Sequence, residues 1–173
     1  MSLKIFSNNV KGIRGVIKRK KLFKFCSNLP CQYFCLQETH SDVTSETEWK
    51  TDWGGNIIFS HGNTNSLGVA ILLKTEHKIL ETIIDLNGRY IIIKIKVEGL
   101  NIALMTIYAP NNEQDQIAFY KHILQLLLTT QFDELVRSRR SVSLIPASAR
   151  WYRIEVPTAP PPMTTTRACV FMR

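Results

Sequence analysis

The stretch Cys35-Leu-Gln-Glu-Thr-His40 (CLQETH, residues 35–40) places a carboxylate where a buried strand stops. Tyr33, Phe34, Cys35 and Leu36 form a short apolar run of the kind that fills a strand covered on both faces. Glu38 follows at once, then a hydroxyl and an imidazole. Two readings compete: the chain has reached the surface, or Glu38 holds a metal ion. What the other strand ends carry decides between them.

Outward from this stretch, strand and helix periods alternate through the first 132 residues. Leu3, Ile5 and Asn9-Val10 predict a first strand running into a turn at Lys11-Gly12. A helix follows, with Ile17, Leu22, Phe25 and Cys26 on or near one face and Lys18, Arg19, Lys20, Lys21 and Lys24 mostly on others. After the strand Tyr33–Gln37 comes a polar, partly helical segment at 41–50. Further strands rich in Ile, Val and Leu are predicted at 56–60, 67–73, 78–85, 89–97 and 101–108, with turns at 61–66 and 86–88. A last helix covers about 113–128, its apolar positions being Ile117, Phe119, Tyr120, Ile123, Leu124, Leu127 and Leu128. Strands with helices between some of them predict an α/β sandwich.

A chain of 173 residues accommodates one domain with a core rather than two of ordinary size. Its 45% hydrophobic and 21% charged residues are those of a globular protein, not a disordered one. No apolar run reaches the roughly 18–20 residues that span a bilayer, and the N-terminus lacks the apolar segment of a signal peptide. A cytoplasmic or nuclear protein, not secreted and without a membrane partner, is expected. Cys26, Cys31 and Cys35 follow a C-x4-C-x3-C spacing with no fourth ligand nearby, which favours reduced core thiols over zinc. The formal charge of +8 suggests an anionic partner.

That charge is unevenly spread. Residues 1–132 hold 12 Lys and 3 Arg against 11 acidic residues, whereas 133–173 hold 7 Arg, no Lys and 3 acidic residues. All ten Asn precede residue 132, and five of the seven Pro follow it. The chain therefore divides into 1–135, which has regular periods, and 136–173, an unrelated Arg/Pro-rich tail that has none and is expected to be disordered. Lys, Asn and Ile use A/T-rich codons while Arg, Pro and Ala lean to G/C-rich ones, which suggests another reading frame or exon. A native Arg/Pro-rich linker is the alternative.

Three strand ends carry polar groups: Asn9 closes the first, Glu38 follows the second, and Tyr108-Ala-Pro-Asn-Asn112 closes the last. A hard cation such as Mg2+ takes oxygen ligands and keeps several waters, so one carboxylate and a helping amide form a workable anchor. Such a metal polarises a phosphoryl oxygen, and a tyrosine hydroxyl and an Asn amide on the same rim would hydrogen-bond a phosphate. Taken singly, each group also has an ordinary role, Asn in turns, Tyr in packing and Pro110-Asn111 as a turn.

Five short motifs occur in order: N-V-x-G at 9–12, L-Q-E-T-H at 36–40, G-V-A-I-L at 68–72, G-R-Y at 88–90 and T-I-Y-A-P-N at 106–111. Together they resemble the endonuclease domain of LINE-type (non-LTR) retrotransposons, a branch of the apurinic-endonuclease-like, DNase I-like endonuclease/exonuclease/phosphatase superfamily. The resemblance covers about residues 3–135 and the N-terminal half, or somewhat more, of that domain. It implies the N-terminal part of a DNase I-like α/β sandwich, a mixed, largely antiparallel sheet with flanking helices, with the second sheet largely missing. It implies a Mg- or Mn-dependent hydrolase that nicks DNA phosphodiesters for retrotransposition, with DNA as partner and no small-molecule cofactor. By this resemblance Glu38 binds the divalent metal and Asn9 orients the phosphate-side groups. Tyr108 and Asn111 then contact the scissile phosphate or support neighbouring catalytic groups. Lys11 replaces the second Asn common in the family's turn, and Arg89 is either near the phosphate path or a structural residue opening its strand.

The family continues into a Gly-Asp-x-Asn motif and a later Ser-Asp-His motif, which position and activate the nucleophile and complete the phosphate site. Neither occurs here; residues 129–136 (TTQFDELV) approach the expected strand and Arg137-Ser-Arg-Arg140 follows. His61, His77, His122 and Asp133 are not expected to substitute. The expectation is a truncated, catalytically impaired endonuclease-like domain, or alternatively a non-catalytic retroelement remnant that binds nucleic acid or a protein. A phosphatase of the same superfamily is disfavoured by the QETH and IYAPN tags. Without its second sheet, the first would leave an apolar inner face open. The stretch 18–24 (KRKKLFK) is expected to be a solvated helix face more than a DNA-contacting patch or import signal, and Asp42, Glu46 and Glu48 to be solvated.

Overall fold

A computed structural model describes residues 2–63, 65–138, 150–155 and 168–170. In chain order the elements are β1 (Ser2–Asn9), α1 (Val16–Asn28), β2 (Tyr33–Gln37), a 3-10 turn (Val43–Ser45), α2 (Glu46–Trp53), β3 (Ile57–Ser60) and β4 (Val69–Leu73). Then come β5 (Lys78–Ile84), β6 (Tyr90–Val97), β7 (Leu100–Ile107), α3 (Glu113–Thr129), β8 (Glu134–Ser138), β9 (Arg150–Glu155) and β10 (Ala168–Val170). They form two five-stranded sheets, ordered β3-β4-β2-β1-β9 and β10-β8-β7-β6-β5.

Alternation along the strands builds the layers. Leu3, Ile5, Tyr33, Cys35, Val69 and Ile71 of the first sheet meet Ile91, Ile93, Ile95, Ile102 and Leu104 of the second in one buried cluster. The opposite faces are also covered. Phe6, Phe34, Leu36 and Leu72 pack against Phe23 and Cys26 of α1 and Trp49 of α2, and Tyr90, Ile92, Met105 and Ile107 pack against Ile123 of α3.

The α/β sandwich is therefore as expected, but a second sheet that is largely missing is not. Strands β6 and β7 are apolar on both faces, and a strand buried on both sides needs a layer of its own with a helix behind it. The apolar inner face of the first sheet is covered as a result.

Helix α1 packs Cys26 and, in part, Leu22 inward as its hydrophobic periodicity predicts, but its buried face is turned toward Arg19 and Phe23. Arg19, Phe23 and Cys26 are buried, whereas Ile17 is 74% exposed and Phe25 48%. Arg19 tolerates burial because its guanidinium is fully engaged. It donates to Asp52 from Nε (2.8 Å) and Nη2 (2.7 Å) and to the Arg14 carbonyl from Nη1 (3.0 Å). It also pairs with Glu48 (2.7 Å) and lies over the Trp49 ring. Asp42 and Glu46 are likewise paired rather than merely solvated, Asp42 with Arg14 (2.7 Å) and Glu46 with Lys50 (2.6 Å). On α3, Ile123 is buried, while Ile117, Tyr120, Leu124 and Leu128 form an exposed apolar stripe.

Of the tail, β9 pairs antiparallel with β1 and β10 pairs parallel with β8, so these two segments are strands where disorder was expected. The same expectation for 139–149, 156–167 and 171–173 lies outside the described residues. Cys26, Cys31 and Cys35 are buried free thiols, and burial pushes them up to about 12, 11 and 12, far from the reactive thiolate. Among the described residues no helix is long and apolar enough to cross a membrane.

Candidate functional site

Parallel strands end on the same side of a sheet, and β1 and β2 are parallel, with Asn9 opposite Gln37. Asn9 thus stands beside Glu38 at one rim. The loops that follow stay paired: Val10 N–H donates to Gln37 O (2.9 Å), Gly12 N–H to Glu38 O (2.7 Å) and Ile13 N–H to Thr39 O (3.1 Å). The Asn9 side-chain carbonyl accepts from Lys11 N–H at 3.1 Å, a turn role.

The remaining motifs attach to this pair. Thr39 N–H donates to Gly68 O (3.0 Å) and His40 N–H to Leu67 O (3.1 Å). Gly68 N–H donates to Gly88 O (3.0 Å), and Tyr108 N–H to Arg89 O (2.7 Å). Across the sandwich, the Gln37 side-chain amide donates to Thr106 Oγ1 at 2.8 Å. Hydrogen bonds therefore join all five motifs around a single rim, although they lie up to about 100 residues apart in sequence.

The rim is also where the backbone is least relaxed. Lys11 (φ 48°), Glu38 (54°), His40 (57°) and Leu67 (66°) are four of the five non-glycine residues with positive φ among those described. Such conformations cost on the order of 1–3 kcal/mol each and persist where surroundings impose them. The motif glycines have a packing reason: a Cβ on Gly12 would stand 2.7 Å from His40 Nδ1, and one on Gly68 would stand 2.5 Å from Thr39 Oγ1.

The structure brings Asn9, Glu38 and Tyr108 to this rim. Asn9 and Glu38 are half-buried. Tyr108 is buried, and its carbonyl accepts from Arg89 Nη1 at 3.4 Å. Asn111 is exposed in the loop leading to α3, next to Asn112, whose side chain caps that helix through Gln114 N–H (3.0 Å).

Among the described residues no group of three His, Cys, Asp or Glu side chains is placed to hold a metal ion. Glu38 and Asn9 offer one carboxylate and one amide. That donor set fits a hard cation keeping most of its water, such as Mg2+ or Mn2+, and does not fit a closed thiolate or imidazole site.

Sequence reasoning missed a partly buried relay behind Glu38. Thr39 Oγ1 and Ser41 Oγ lie 3.2 Å apart, Ser41 Oγ is 3.0 Å from His61 Nδ1, and His61 Nε2 is 2.9 Å from Glu46 Oε1. Ser41 is fully buried, so the relay braces the strand end instead of exposing a nucleophile. Its links to His61 span 15 and 20 residues and carry no local signature.

No family model matches the sequence. The "Transposon TX1 uncharacterized 149 kDa protein" of Xenopus laevis is 26% identical over 136 residues, which is 78% of this chain and 10% of that protein. An AP endonuclease from Archaeoglobus fulgidus superposes with a TM-score of 0.58 at 22% identity, covering 75% of this chain and 52% of the other. The 3'-5' exonuclease NExo from Neisseria meningitidis gives 0.61 at 16% identity, covering 78% and 56%. A humanized D. rerio TDP2 gives 0.57 at 18%, covering 79% and 60%. The chain thus spans a tenth of the transposon protein and somewhat over half of each solved structure. It shares the fold of these solved structures and resembles a transposon protein in sequence.

Proposed function

We propose that this chain is a transposon-derived, DNA-directed nuclease-like domain whose rim anchors a divalent cation through Glu38 and whose hydrolytic capacity is impaired. The hydrogen-bonded convergence of the five motifs around a left-handed Glu38 is the observation that carries this reading. DNA as the partner is supported by two solved neighbours described with it, NExo with a product DNA hairpin and D. rerio TDP2 with a single-strand DNA product. The excess of basic residues is consistent with an anionic partner.

Each residue then has a stated task. Glu38 and Asn9 would hold Mg2+ or Mn2+, which when bound supplies Lewis-acid polarisation of a phosphoryl oxygen. Tyr108 and Asn111 would hydrogen-bond the phosphate and orient it. Within these 173 residues neither a Gly-Asp-x-Asn nor a Ser-Asp-His motif occurs. Phosphodiester hydrolysis needs both an activated nucleophile and stabilised charge, and groups acting as a unit lose orders of magnitude together. A non-catalytic nucleic-acid-binding fragment is the second reading, favoured by the same absence.

Plasmid nicking in Mg2+ by the wild type and by Glu38→Ala tests the proposal. Slow, metal-dependent nicking that Glu38→Ala abolishes is the expected result. Equal nicking by both removes Glu38 as the anchor, and salt-sensitive DNA binding without nicking by either supports the binding-fragment reading.

A further inference from the structure

In the turn after β1 the N–H groups of residues 10–13 and the carbonyls of residues 10–12 all have partners, and the two kinds of group go to different places. The N–H groups of Val10, Gly12 and Ile13 go to Gln37, Glu38 and Thr39, and that of Lys11 to the Asn9 side chain. The carbonyls of Val10, Lys11 and Gly12 all go to one side chain. Lys18, near the start of α1, donates its ammonium to them at 2.7, 2.9 and 2.7 Å. An ammonium has three donors and no acceptor, so Lys18 commits its whole capacity to three consecutive carbonyls. The turn it grips holds two left-handed residues, Lys11 and Gly12, and it is the segment whose Gly12 N–H holds the carbonyl of Glu38.

We infer that Lys18 is the positioning residue of the site. Its ammonium serves as a built-in cation that locks the 10–12 turn, and the locked turn fixes Glu38 for metal binding. This rests on the metal-anchor reading above. The same geometry says what Lys18 does not do: with all three donors used, it is not free to grip a DNA phosphate, although it lies in a lysine-rich helix.

Two mechanisms predict opposite signs for Lys18→Met. If the charge acted only through space, removing a cation near the site would tighten Mn2+ binding, because like charges repel. If Lys18 positions Glu38, binding weakens, by about 10-fold or more, as when a group that orients a metal ligand is lost. Mn2+ titration of the full chain by electron paramagnetic resonance, with Glu38→Gln as the reference for an absent anchor, separates them. Ammonium ion should restore part of the lost affinity, since it can donate to the same carbonyls. Tetramethylammonium at equal ionic strength has no N–H and should restore none.

Lys18→Arg keeps the charge but presents a planar fork in place of a compact three-donor head, and it too should weaken Mn2+ binding. It decides the matter if Lys18→Met does not fold. Wild-type or tighter Mn2+ affinity in a folded Lys18 variant overturns the inference. So does a variant that keeps its Mn2+ affinity while the slope of log Kd against log salt for DNA falls by about one, the mark of a lost phosphate contact. Equal Mn2+ binding by wild type and Glu38→Gln instead overturns the metal-anchor reading itself, and this inference with it.

Discussion

Gln37 on β2 reaches across the sandwich to Thr106 on β7, its Nε2 donating to Oγ1 at 2.8 Å, with both residues buried. A step or two further along each strand lie residues at the rim, Glu38 one beyond Gln37 and Tyr108 two beyond Thr106. The bond therefore sets the register of one sheet over the other directly beneath the candidate site. Gln37→Leu leaves a buried hydroxyl without this donor and should cost about 1–3 kcal/mol in urea unfolding. Thr106→Val should cost a similar amount. The double variant should lose less than the sum, because neither half of the bond is left behind; a strictly additive cycle would contradict the bond.

Two glycines with the same backbone sign separate packing from conformation. Gly88 has φ 75°, and a Cβ there would run into the His61 carbonyl and stand 2.9 Å from Gly62 Cα. Gly99 has φ 89°, with open space around it. Gly99→Ala should cost roughly 1–2 kcal/mol, the price of a left-handed alanine. Gly88→Ala should cost clearly more, since backbone cannot swing aside, and should disturb the Gly68–Gly88 bond at the rim. Equal shifts in unfolding midpoint would rule out the packing explanation.

Acid sensitivity follows from paired carboxylates. Burial pushes Asp52 up, but the hydrogen bond and charge of Arg19, with Lys20, outweigh it and hold the group below its ordinary 3.8. The Lys50 hydrogen bond, against some burial and with help from His61, holds Glu46 below 4.5, and the Thr44 hydroxyl leads in lowering Asp42. A carboxyl with a lower value folded than unfolded binds fewer protons when folded. Its stabilising contribution is complete above the ordinary value and is lost as the pH falls through the folded one. Stability should therefore decline on acidification below about pH 4.5. Asp52→Asn should flatten part of that decline while costing about 3 kcal/mol at neutral pH, because Arg19 stays buried with one partner fewer. Urea unfolding at pH 7 and near pH 3 reads both effects.

Legibility in the sequence followed how local the cause is. Tyr33–Gln37 was read to the residue, and β5, β6 and β7 to within about one, because short runs rich in Ile, Val, Leu and aromatic residues between turn signals are a local signal. The rim was legible through motif glycines and strand-end polar groups. Arg19 was not, because its burial depends on Asp52 and Glu48, about thirty residues away, and periodicity counts an arginine as solvent-facing. Nor was the assignment of strands to two sheets, which rests on which faces meet in space. Lys18 reads in sequence as one more lysine of a basic helix, and the three carbonyls that distinguish it come from a turn whose shape no composition encodes.

The compositional break at residue 136 falls inside β8, whose backbone runs from Glu134 to Ser138 between β7 and β10. A chain ended at that break would cut β8 short and turn β7 from an interior strand into an open edge along part of its length. The change in composition therefore does not coincide with the end of a strand. Main-chain pairing is nearly blind to which side chains hang from it, so one strand can run across a change in composition without a break.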